Sequence, residues 1–245
     1  FRHLEEASKR GEAVIGVPTG LRDFDQMTAG LQNGDLIIIA GRPSMGKTSL
    51  MVNNVAMNAA LNNDNRVGVG IFSLEMSASQ LAEMLLCGRA RISSWRLRKG
   101  YARGDDWERV VHAVGFIDKA EIFIDDTPGI SLMEMRSKAR RMKLQHDIGM
   151  ICVDYLQLVT TGQRSDNRHQ EIGEVARAMK AMARDTGRSD RPNFVFILID
   201  DMGWTDLGCM GGRYYETPRI DELAGGGVVF ASAYSNAPNC APTRA

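Results

Sequence analysis

The stretch GRPSMGKT, Gly41–Thr48, limits what this chain can be more than any other. It fits G-x-x-x-x-G-K-[ST] at every fixed position. The apolar run LIIIA stands just before it, after a Gly34–Asp35 turn, and a helical pattern over 48–61 follows. Such a loop works through its backbone. Glycines let the main chain close round phosphate, while successive N–H groups and the next helix N-terminus supply donors and positive field. Gly41, Arg42, Pro43, Ser44, Met45, Gly46, Lys47, Thr48 and Ser49 are therefore the candidate nucleotide-binding residues. Lys47 would reach the β- and γ-phosphates of ATP, and Thr48 would hold Mg2+. A bare glycine turn at a strand–helix junction is the plain alternative, and the agreement of motif with context counts against it.

From residue 34 to 185, apolar strands alternate with helical patterns. Strands are expected at 36–40, near 67–74, at 121–125 and up to Asp154. Helices are expected at about 78–88, twice within 90–120, and over 131–146 and 171–185. The strands are apolar throughout rather than alternating. This predicts an α/β fold, a mainly parallel sheet with helices on both faces. A charged helix opens the chain over 1–12, and GQRSDNRHQ, 162–170, reads as an exposed polar loop. The basic run Arg136–Lys143 is spread around its helix and reads as a solvated face.

The 30 basic and 30 acidic side chains cancel, so this is not a strongly basic nucleic-acid protein; any nucleic-acid contact must come from local patches or from assembly. Cys87, Cys152, Cys209 and Cys240 show neither close pairing nor metal spacing, which argues against a disulfide framework or zinc. No apolar run is long enough to span a bilayer and no signal peptide opens the chain, so no membrane partner and a cytoplasmic location are expected. The first residue is Phe1, as expected of a piece cut from something longer.

Two carboxylates suit the phosphate loop. Asp154 ends MICVD, four apolar residues and an acid, the pattern of a magnesium-organising aspartate. An ordinary aspartate at a strand end is the alternative. Glu75 follows VGVGIFSL at another strand end. If that strand lies beside the strand before the loop, its carboxylate faces the γ-phosphate as a base or water-orienting group. Capping of the next helix is the alternative.

GRPSMGKTSL, IFSLEMSASQL, IFIDDTPGIS and ICVDYLQLV together resemble the motor domain of the bacterial replicative hexameric DNA helicases, the DnaB family with its RecA-like core. The likeness covers about residues 1–187. It implies Glu75 as catalytic glutamate, Lys47 and Thr48 as the nucleotide clamp and Asp154 as the magnesium-side acid. Residues 1–16 are similar to the family's linker helix, which docks on a neighbouring subunit of the ring. The loop TGQRSDNRHQE resembles the DNA-facing loop, with Arg164 and Arg168 on backbone phosphates of single-stranded DNA and Gln163 and Asn167 nearby. Such contacts position a strand without reading it.

The pattern breaks at about 186–191. A complete motor would go on to a strand ending in a polar sensor and to a basic finger for the next subunit. Instead, PNFVFILIDDMGW and CAPTR resemble the start of a sulfatase, of the alkaline-phosphatase-like α/β fold, over 188–245. That resemblance implies Asp200 and Asp201 as Ca2+ ligands, Cys240 as the residue converted to formylglycine and Arg244 as its partner; paired carboxylates do suit a hard divalent ion. Capping acids and an unmodified thiol are the plain alternatives.

Three functions follow. A helicase motor fragment over 17–187 would bind ATP–Mg2+ and single-stranded DNA, with measurable nucleotide affinity but feeble turnover. A sulfuric ester hydrolase would depend on the last segment. A nucleotide-binding scaffold would complete neither activity. FVFILI, 194–199, is expected to add to the sheet and cover part of an open edge.

Overall fold

The computed structural model describes residues 16–32, 34–40, 46–61, 66–154, 175, 177–183 and 194–199, the last by backbone alone. In chain order the elements are α1 (Arg22–Thr28), β1 (Leu36–Ala40), α2 (47–61), β2 (Gly68–Ser73), α3 (Ala78–Ala90), α4 (Ser94–Arg98), α5 (Gly104–Ile117), β3 (Ile122–Asp125), α6 (Leu132–His146), β4 (Ile148–Asp154), α7 (177–183) and β5 (Phe194–Ile199). The linker helix expected over 1–16 falls, but for Gly16, outside the described residues.

All strand pairs are parallel, and the order across the sheet is β1-β5-β4-β2-β3. Every residue of β2 and β4 is buried, while β3, at one end of that order, is half-buried. Unbroken apolar runs are what strands covered on both faces require.

The two faces bury different sets. On one, Val69, Ile71, Met150 and Cys152 meet Met51, Val52 and Val55 of α2 and Leu81 and Leu85 of α3. On the other, Phe72, Ile151 and Val153 meet Met135 and Ala139 of α6 and Met179 and Met182 of α7. Burying a valine contributes about 2 kcal/mol. That outweighs the few tenths it loses in helix propensity, so packing holds α2. Gly70 allows the close approach of α6: a Cβ there would lie 3.1 Å from the Met142 sulfur.

β5 corrects one expectation. It joins the sheet, pairing Leu36–Ala40 on one side and Met150–Val153 on the other. It therefore takes an interior place rather than covering an edge. β1 and β4 do not pair with each other, and the slot between them is one strand wide.

Helix α2 also differs from expectation. Its middle, Leu50–Ala56, is π-helical between α-helical Lys47–Ser49 and Met57–Leu61. The Met57 N–H reaches back five residues to Val52 O. Asn side chains use the loosened turns: Asn58 Nδ2 donates to Asn54 O at 2.7 Å, and Asn53 Nδ2 to Ser49 Oγ at 3.3 Å.

Candidate nucleotide site

The site lies where the strands end. Gly46 begins the turn into α2 with φ 83°, a left-handed conformation that favours glycine. Lys47 and Thr48 follow and are buried. Thr48 Oγ1 donates to Asp154 Oδ2 at 2.8 Å. Asp154, the last residue of β4, is only 2% exposed. A hydroxyl and a carboxylate oxygen so placed, with a lysine beside them, could hold a hard divalent cation that also binds phosphate oxygens.

Asp154 also shapes the neighbouring loop. Its carbonyl accepts from the Leu74 N–H at 2.7 Å, and Ser73 pairs with it in register. The buried Ser73 hydroxyl donates to Met76 O at 2.7 Å. Ser77 then caps α3 in a reciprocal pair with Gln80, and Asp126 Oδ2 accepts from the Ala78 N–H at 2.8 Å. Glu75 sits in this pinned loop with its side chain exposed.

The position of Glu75 needs correction in one respect. Its strand, β2, neighbours β4 and not β1. With strands spaced about 4.8 Å apart, roughly 14 Å separate β2 from β1. Glu75 thus borders Asp154 directly, and the P-loop strand only across two others. Helix capping is done by Ser77 and Asp126, so no capping contact of the Glu75 side chain is needed.

Ser73 and Asp126 were not singled out from sequence as loop-holding residues. Each ends or follows a strand as a small polar residue after an apolar run, IFS and IFIDD. Beside Asp126, Lys138 Nζ contacts Asp125 Oδ2 at 2.8 Å and Thr127 Oγ1 at 2.6 Å. Burial opposes the Asp125 charge, and the hydrogen bonds from Lys138 and Thr127 outweigh it, holding the carboxyl below its ordinary range. Cys152 is fully buried two residues before Asp154. Burial first, and then the Asp154 charge, pushes its thiol far up, so it remains protonated. Cys87 is buried as well, as the apolar surroundings of both thiols suggested.

The structure thus brings Lys47, Thr48, Asp154 and the Glu75 loop to one end of the sheet. Gly41, Arg42, Pro43, Ser44 and Met45 lie outside the described residues, as do Gln163, Arg164, Asn167 and Arg168, and Asp200, Asp201, Cys240 and Arg244. Among the described residues there is no cluster of three or more His, Cys, Asp or Glu placed to hold a metal. No helix among them is long and apolar enough to cross a membrane.

The family model described as DnaB-like helicase C terminal domain matches residues 16–188. The chain belongs to that family. This DnaB-like chain is 44% identical over 186 residues to the replicative DNA helicase DnaC of Bacillus subtilis (strain 168). It is 42% identical over 186 residues to the replicative DNA helicase DnaB of Geobacillus stearothermophilus. Each match takes in 76% of this chain and 40% of the relative, so the chain spans about 40% of the length of these curated relatives. The solved structure of a DnaB-like replicative helicase, studied with its interactions with primase, superposes with a TM-score of 0.72 at 29% identity, covering 83% of this chain and 47% of that one. A second solved structure, of an ATPase domain alone, gives 0.72 at 30% identity, covering 83% of this chain and 70% of that one. That coverage is more than residues 1–188 contain. The RecA-like α/β architecture of the DnaB ATPase domain is therefore present. A second family model, Sulfatase, matches residues 192–245.

Proposed function

We propose that this DnaB-like chain is the motor portion of a replicative DNA helicase, binding ATP with Mg2+ and working on single-stranded DNA in a hexameric ring. The observation that carries the reading is the 2.8 Å bond from Thr48 to Asp154, which joins the helix after the phosphate loop to the strand ending in the magnesium-side acid. In this reading residues Gly41–Ser49 cradle the phosphates and Lys47 neutralises the terminal ones. Thr48 and Asp154 hold the cation, which supplies charge neutralisation between the β- and γ-phosphates. Glu75 orients the attacking water and takes its proton. Gln163, Arg164, Asn167 and Arg168 follow the DNA backbone, and the neutral net charge makes a ring that gathers these few arginines the natural setting. Such a protein works in the cytoplasm.

By origin we divide the chain into a linker helix over 1–16, a motor domain over 17–187 and a sulfatase-like segment over 188–245. Turnover is slow in this reading, because the helicase match ends at residue 188 and a different family supplies the residues after it. Preorganised charge from that region would otherwise stabilise the transition state. Ca2+ and a formylglycine at Cys240 find no support among the described residues, and sulfate-ester hydrolysis is not part of the proposal.

The test is nucleotide binding with and without Mg2+ by the intact chain and by Lys47→Ala. We expect binding that Mg2+ strengthens and that Lys47→Ala weakens by about tenfold or more, in line with loss of a charge-assisted phosphate contact. Equal binding by both proteins, or none by either, overturns the reading. Binding with no measurable turnover even for the assembled protein would favour the scaffold function instead.

A further inference from the structure

Strand β5 belongs to one family by sequence and to another by position. Residues 192–245 match the Sulfatase model, yet Phe194–Ile199 fill the slot between β1 and β4 of the helicase-like sheet. We propose that this strand of sulfatase type is the spacer that completes the nucleotide site, and that its use there prevents residues 192–245 from starting a sheet of their own.

The first half of the proposal follows from strand spacing. Neighbouring strands lie about 4.8 Å apart, so β5 holds β1 and β4 at about 10 Å. The bond from Thr48 to Asp154 spans that arrangement, because Thr48 follows β1 through the loop and Asp154 ends β4. If β5 were absent and β1 paired directly with β4, Asp154 would move by about 5 Å relative to Thr48. That is far more than a hydrogen bond tolerates. If the slot stayed empty, the facing backbone groups of Leu36–Ala40 and Met150–Val153 would lose their partners inside the sheet.

The second half follows from edges. A strand has two hydrogen-bonding edges, and both edges of β5 are taken: Ile197 pairs with Ile38 on one side and with Val153 on the other. No backbone edge is left for a sulfatase-type partner strand. The slot asks only for an apolar run of the right length, and FVFILI is such a run.

The part of the proposal concerning nucleotide rests on the function proposed above; the part concerning the strand does not. The test has two arms. In the unmodified full chain, amide hydrogen exchange is followed at 194–199. We expect protection comparable to that of β1 and β4, as for core strands of one cooperative unit. Free exchange at 194–199 while β1 and β4 stay protected overturns the proposal, whether or not the protein binds nucleotide. In the second arm, Ile197→Pro and Ile197→Val are compared for ATP–Mg2+ affinity. Proline removes the N–H and does not fit a central strand. We expect Ile197→Pro to lose about tenfold or more in affinity while β2 and β3 amides stay protected, and Ile197→Val to bind within about twofold of the parent. Unchanged affinity in Ile197→Pro overturns the spacer role. If no form binds nucleotide, the helicase reading fails and the exchange arm alone decides whether the strand is seated. If Ile197→Pro does not fold, the unmodified chain still decides the same point.

Discussion

Thr48 Oγ1 lies 2.8 Å from Asp154 Oδ2, although 106 positions separate them in the chain. Both residues are buried, so the contact joins α2 to the end of β4 away from bulk water. In low-dielectric surroundings a hydrogen bond to a carboxylate is stronger than its neutral counterpart. Replacing Thr48 by Val keeps the shape and removes the donor. Thr48→Val should destabilise the protein by about 1–3 kcal/mol in urea unfolding. It should also weaken the effect of Mg2+ on ATP affinity. Unchanged stability together with an unchanged Mg2+ effect would refute the role given to this pair.

Asp154→Asn separates charge from shape. The amide can still accept from Thr48, but it cannot balance a divalent ion. Nucleotide affinity without Mg2+ should hold steady, and the gain on adding Mg2+ should shrink by about tenfold. A titration of nucleotide at several Mg2+ concentrations measures this.

Glu75 is exposed, so its replacement should leave the fold alone. Glu75→Gln should change stability by less than about 0.5 kcal/mol. Single-turnover ATP hydrolysis should fall by about a hundredfold or more, with ATP affinity preserved, if Glu75 assists the attacking water. A loss of affinity with no loss of rate would point to a different role.

Asp126 acts on the same loop from a distance. Its carboxylate takes the Ala78 N–H at the start of α3 and so fixes the turn that carries Glu75. Asp126→Ala should cost about 1 kcal/mol, the usual loss of an acceptor at a helix N-terminus. Thermal unfolding reads that cost, and Asp126→Asn should recover most of it.

Asp106 should make the protein acid-sensitive. The Arg103 N–H at 3.0 Å lowers its carboxyl below the ordinary range; burial opposes this, and the Arg96 and Arg109 guanidinium groups add to the lowering. The folded value is depressed, so folding favours the charged form. The contribution is complete above the unfolded value, about pH 3.9, and is lost as pH falls through the folded one. Urea unfolding between pH 6 and 3 should show stability declining below about pH 4, and Asp106→Asn should decline less steeply over that range.

Much of this could be read from particular residues. LIIIA, VGVGIFS and MICVD are continuous apolar runs, and each is a strand. GRPSMGKT announces a strand–loop–helix, and α2 follows where it should. Strand order was not legible. An apolar run shows that a parallel strand is buried, but not which strand lies beside it. That is why Glu75 was expected next to β1 and FVFILI at an edge. The π-helical turns of Leu50–Ala56 had no warning in LMVNNVA either. A change from i−4 to i−5 bonding leaves the apolar face of a short helix almost unaltered, so periodicity does not report it. The loop contacts of Ser73 and Asp126 depend on how strand ends and helix starts meet in space, and no local pattern records them.

The place of β5 has a consequence for how the molecule is made. A ribosome delivers β1, β2, β3 and β4 first, and the strand that sits between β1 and β4 comes last. Until residue 199 has emerged, the nascent chain holds two halves of a sheet with a gap between them. Domains usually settle as they are synthesised, and unpaired strand edges invite association with other chains. Newly made copies of this protein will thus need chaperone protection late in translation, at the moment when most of the domain has already appeared.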